Sequence, residues 1–136
     1  MIKPIFLYGQ GVLREQARNI DIKDREAVAA LIQDLKDTLA KADGCGLAAP
    51  QIGVSSRVLI VTGEGLEETY PYLKGFKRTM VNPEIIEESS SQCTYSEGCL
   101  SIPGVYADVT RPSSIKIRYY DEDLKMVEVK SISIKF

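Results

Sequence analysis

Between Glu26 and Ala42 the apolar residues Val28, Leu31, Ile32, Leu35, Leu39 and Ala42 recur at helical spacing, with Gln33, Asp34, Lys36, Asp37 and Lys41 on the opposite side. The pattern predicts an amphipathic helix, capped by Asp24, closed just before Gly44 and lying on a sheet with one face in water. Arg57 to Thr62 is short, β-branched and closed by Gly63, which predicts a buried strand. Further strands are predicted over Thr79 to Ile86, Ser101 to Val109, Ser114 to Tyr120 and Met126 to Ile134. Turn signals separate them at Ser89-Ser90-Ser91, Arg111-Pro112 and Asp121-Glu122-Asp123. Tyr8 to Arg14, with Gly9 and Gly11, reads as a loop, and Gly65 to Lys77 as a surface excursion without a period. One helix followed by strands, with no second crossover helix, predicts an α+β fold: a helix packed on a mixed, largely antiparallel sheet.

A length of 136 residues and 44% hydrophobic content suit a single domain over residues 1–136. Seventeen basic against nineteen acidic residues give a net charge of -2, which argues against nucleic acid or an anionic membrane as partner. The longest apolar runs are too short to span a bilayer, and Met1-Ile2-Lys3-Pro4 does not open a signal peptide, so the chain is expected in the cytoplasm. Cys45, Cys93 and Cys99 form neither an even disulfide set nor a repeated CxxC.

Two short segments carry candidate chemistry. Gly44-Cys45-Gly46-Leu47-Ala48-Ala49-Pro50-Gln51 joins the helix to the first strand, and its small residues let a backbone approach a ligand closely. The plainer reading is a tight connection with buried alanines and Gln51 facing water. In Glu97-Gly98-Cys99-Leu100-Ser101 a thiol able to bind a borderline metal sits between a carboxylate and a strand-forming run. The plainer reading there is an inert, half-buried thiol at a strand start.

Together the segments resemble the first two signature motifs of the peptide deformylases, GxGLAAxQ at Gly44 to Gln51 and EGCLS at Glu97 to Ser101. Their order and separation, the Gly9 and Val12-Leu13-Arg14 region, the preceding helix and Pro50 to Val54 extend the resemblance to about Val129. It implies removal of the formyl group from the N-terminal methionine of new proteins by metal-activated water, the metal being iron, or zinc or nickel. By that resemblance Cys99 is a metal ligand, and Gln51 and the Leu100 N–H are oxyanion donors. Gly44, Cys45, Gly46 and Gly98 would then lie along the substrate, and Glu97 would brace the loop.

The family's third motif, HExxH, is absent, and so is any histidine. Cys99 alone remains of the expected ligands, so no metal cofactor is expected in this chain and catalysis is expected to fail. Lys130 to Phe136 alternates like a strand where the metal-binding helix is expected, which suits a truncated deformylase fold, whether the tail is an added strand or an out-of-frame end. Surface uncovered by the missing helix predicts self-association. Three readings follow: a catalytically incompetent homologue, a pseudoenzyme that binds formyl-methionine peptides, nascent chains or a ribosomal partner, and half of an enzyme completed by another chain. Thiol catalysis by Cys99 is disfavoured, because no histidine is available to form the thiolate.

Overall fold

A computed structural model describes residues 1–42, 44–64, 68 and 71–132. The predicted helix is α1 (Arg25–Lys41), and the Asp24 carboxylate accepts from the Ala27 N–H at its start. Its apolar stripe is buried as expected: Val28, Leu31, Ile32, Leu35 and Leu39 pack with Leu47, Ala49, Ile52, Val58, Ile60 and Val81. Thr38, also buried, accepts a hydrogen bond from the Lys3 N–H at 2.9 Å and so ties the N-terminal segment to the helix.

That core is closed by a five-stranded sheet in the order β1 (Gly46–Ala48), β2 (Val58–Thr62), β3 (Lys77–Glu88), β6 (Ser114–Tyr120) and β7 (Met126–Ile132). All of its strand pairs are antiparallel, and an isolated parallel bridge joins Arg18 to Ser56. Val58 stands opposite Val81, and Ile60 opposite Thr79, so alternate residues of β2 present the branched side chains that α1 covers. The β3 ladder shifts after Val81, where Asn82 takes a positive φ of 51°. Its amide accepts from the Ile20 N–H at 2.8 Å and donates to the Ile20 carbonyl at 3.0 Å, fastening the N-terminal arm to the bulge.

β4 (Gln92–Cys99) and β5 (Ile102–Pro112) form a separate two-stranded hairpin. β4 has no counterpart among the predicted strands. Its Gln92-Cys93-Thr94-Tyr95-Ser96 run alternates in burial but carries few apolar side chains, since the hairpin stands largely in solvent. Two predicted loops are more regular than expected. Gly11–Arg14 and Ala49–Ile52 each form a 3₁₀ turn, and Gly46–Ala48 is already a strand. Of the predicted excursion from Gly65 to Lys77, Pro71–Leu73 is a 3₁₀ turn and Lys77 opens β3, while residues 65–67 and 69–70 lie outside the described residues. Ser133 and Ile134, at the end of the last predicted strand, lie outside them as well. Among the described residues no helix is long and apolar enough to cross a membrane.

Candidate functional site

The two signature segments meet. β1 leads into the 3₁₀ turn Ala49–Ile52, which ends on Gly53 at φ 89°. That φ strains any residue with a side chain, and a Cβ at Gly53 would also stand 2.8 Å from the Phe6 ring, so the turn favours glycine there. The turn directs Gln51 across to the hairpin. Its Oε1 accepts from the Ala48 N–H at 3.0 Å, and its Nε2 donates to Ser101 Oγ at 3.2 Å and lies 3.6 Å from Cys99 Sγ. Gln51 therefore does not simply face water. Its own backbone loop holds one end of the amide, and the other end is aimed at the second motif, 48 residues away.

Cys99 occupies the end of β4 and is exposed, which corrects the picture of a half-buried thiol at a strand start. Next to it the Leu100 side chain lies over Gly44, where a Cβ would come within 3.0 Å of Cδ1 and 3.1 Å of Cγ. Ser101 is buried, and its carbonyl accepts from the Tyr8 N–H at 2.7 Å. The Phe6 N–H donates to the Gln51 carbonyl, also at 2.7 Å, so the N-terminal segment clasps both motifs. Tyr8, Leu13, Arg14, Gln51, Ser101 and Ile102 enclose a recess of 350 Å³ beside Cys99. A larger hollow of 1150 Å³, between the end of α1 and the sheet, touches the motifs only at Gly44.

Glu97 does not point at the thiol. Arg111 grips its carboxylate with two hydrogen bonds, Nε at 2.8 Å and Nη2 at 2.7 Å, and these hold the Glu97 carboxyl below its ordinary range. Cys45 is half-buried. Burial pushes its thiol up, and the Glu97 charge adds to the effect. Gly46 starts β1 opposite Val61, and Gly98 lies under the Tyr106 ring.

The chain has no histidine, and among the described residues no group of three or more Cys, Asp or Glu stands together to hold an ion. Around Cys99 the nearby polar groups are the neutral Gln51 amide and the Ser101 hydroxyl, whereas a catalytic zinc-type site typically takes three anionic or imidazole ligands. These residues alone do not fit the metal.

The resemblance points to Gln51, Cys99 and Leu100, and the structure sets Gln51 Nε2 3.6 Å from Cys99 Sγ, with Leu100 next along the chain. The roles of Ser101 and Tyr8 in holding Gln51 and the hairpin were missed. Ser101 was within the motif, but the main-chain bond from Tyr8 leaves no residue-type signal. Arg111, placed by the sequence pattern in a turn with Pro112, lies instead within β5, paired with Cys93.

The profile of the polypeptide deformylase family matches residues 2–133. A peptide deformylase of Cytophaga hutchinsonii is 40% identical over 125 residues, covering 92% of this chain and 66% of that protein. One from Pseudothermotoga lettingae is 41% identical over 128 residues, covering 94% and 68%. The chain thus spans about two thirds of the length of the curated relatives it matches. Among solved structures, the Thermotoga maritima peptide deformylase superposes with a TM-score of 0.85 at 28% identity, covering 98% of this chain and 83% of that one. The class I type b enzyme of Acinetobacter baumannii bound to Met-Ala-Ser gives 0.86 at 29%, covering 98% and 86%. With signature motifs, fold and profile in agreement over almost its whole length, the chain belongs to the peptide deformylase family.

Proposed function

We propose that these 136 residues form the substrate-facing half of a peptide deformylase site, folded as one deformylase-like domain, and that this chain alone does not turn over. The family reaction adds water to the formyl carbonyl of an N-formyl-methionine peptide, releasing formate and the free amine. The observation that carries the reading is the Gln51 amide, drawn across to Cys99 and Ser101. There Gln51 Nε2 and the Leu100 N–H donate to the oxygen on which negative charge develops. Such donors act mainly on the transition state and are worth about 3 kcal/mol each. By the family resemblance the backbone from Gly44 to Gly46 runs beside the peptide, and a peptide of this kind, Met-Ala-Ser, is bound in the structure of the A. baumannii relative.

No side chain described here serves as the base. Histidine is absent, and the Glu97 carboxylate is engaged by Arg111. Cys99 would be one ligand of the family's metal, and the neutral Gln51 amide and Ser101 hydroxyl beside it do not complete the set. The test is metal content and formyl-Met-Ala-Ser hydrolysis by the purified chain, prepared anaerobically with iron or nickel. Turnover at the blank rate without stoichiometric metal is expected. Stoichiometric metal with turnover would overturn the inactive reading.

The retained donors also favour a second reading, a binding module for formyl-methionine peptides. Saturable binding of formyl-Met-Ala-Ser, lost in Gln51→Ala, supports it. Equal binding by the parent chain and Gln51→Ala would remove it.

A further inference from the structure

The β4–β5 ladder is regular from Gln92 opposite Pro112 to Gly98 opposite Tyr106, and then it slips: Cys99 pairs with Ile102. Pro103, Gly104 and Val105 are left out of the pairing, with Gly104 at φ 76°. Cys99 and Leu100 therefore project from the point where the ladder ends. Gly98 has no side chain to secure that end, which makes Glu97 the last side chain before it that can. Among the described residues the hairpin shares no ladder with the five-stranded sheet, and a two-stranded ribbon alone is weakly held in water.

Arg111 stands opposite Cys93, whereas Glu97 stands opposite Ala107. The Tyr95–Val109 pair lies between them in register, so the Arg111–Glu97 contact runs lengthwise along the hairpin instead of straight across it. The carboxylate is well covered, its side chain being 17% exposed, and both of its oxygens are used. A planar fork on two oxygens fixes orientation as well as distance, which a lysine ammonium does not.

We propose that Arg111 is a positioning residue: through its two bonds to Glu97 it stiffens the hairpin lengthwise and sets the direction in which the Cys99 thiol and the Leu100 N–H leave the ladder. Only the roles given to Cys99 and Leu100 rest on the deformylase reading. The stiffening itself does not.

Amide hydrogen exchange on the 136-residue chain tests it, comparing Arg111→Met, Arg111→Lys and Glu97→Gln with the parent. Arg111→Met and Glu97→Gln are expected to speed exchange of the Glu97 to Leu100 amides by about tenfold while β2 and β3 amides keep their parent rates. Arg111→Lys, which keeps the charge and loses the fork, restores only part of the protection. Parent-like exchange at Glu97 to Leu100 in Arg111→Met would overturn the proposal. So would a uniform acceleration across all strands, the mark of a merely stabilising ion pair. No formylated peptide enters this measurement, so a failed peptide-binding assay would remove the binding-module reading and leave the positioning role standing.

Discussion

Leu100 rests on Gly44: the absent Cβ of the glycine leaves the space its Cγ and Cδ1 occupy, 3.1 and 3.0 Å from where that Cβ would be. The contact joins the first motif to the residue whose N–H is proposed to face the oxyanion. In Gly44→Ala two effects on stability oppose each other. The methyl crowds Leu100, while the unfolded chain loses the freedom of glycine, an effect worth about 0.4–1 kcal/mol in favour of folding. Urea unfolding is therefore expected to show a net change under about 1 kcal/mol. The Leu100 methyl resonances should shift, and formyl-Met-Ala-Ser binding should weaken. Unmoved methyl resonances would mean that the loop yields in place of Leu100.

Gln51 is expected to matter to folding before it matters to chemistry. Gln51→Ala leaves the Ala48 N–H and the buried Ser101 without their side-chain partner, for an expected loss of about 1–2 kcal/mol by urea unfolding. The main-chain bond from Phe6 to the Gln51 carbonyl survives the substitution, so the fold should remain. A stability equal to the parent would mean that water replaces both bonds at no cost.

How much of this was legible beforehand depended on where burial is one-sided. Val28 to Leu39 declared α1 because water covers its other face, and Val58 to Thr62 declared β2 because its branched residues pack beneath that helix. β4 stayed hidden, since a hairpin exposed along most of its length needs no apolar alternation: Thr94 and Thr110 pair through their hydroxyls at 2.8 Å where a buried sheet would place valines. The identities of Gln51 and Cys99 were readable from their motifs. That Tyr8 holds Ser101 was not, because a main-chain N–H is common to every residue type but proline.

Asn82 combines two features that a substitution can separate. It holds a positive φ at the β3 bulge, and its amide bridges both polar groups of Ile20. Asn82→Ala loses the bridge and keeps the unfavourable backbone, so a cost of about 2–4 kcal/mol is expected. Asn82→Gly loses the same bonds without the backbone strain and should be the milder variant by about 1 kcal/mol. Thermal or urea unfolding of the pair checks the order, and an alanine variant as stable as the glycine variant would show that φ at this site costs nothing.

Acid should find the carboxylates that cations hold. The Glu97 carboxyl is lowered chiefly by the hydrogen bonds from Arg111, and Glu122 by Lys36 and then by the Thr79 hydroxyl. A carboxyl whose folded value lies below its unfolded one binds fewer protons in the native state. Its contribution is therefore complete above the unfolded value, about 4.3, and disappears as pH falls through the folded one. Stability is expected to be flat with respect to these groups above about pH 5.5 and to decline from there into acid. Both carboxylates pair with cations at the surface, so salt should weaken both contributions. In Glu97→Gln the acid slope should shrink even though the variant starts from a lower stability at neutral pH. Urea midpoints measured from pH 7 to pH 3 in the parent and this variant decide the matter, and parallel curves would mean that the Arg111 fork does not distinguish the charged carboxylate from the neutral amide.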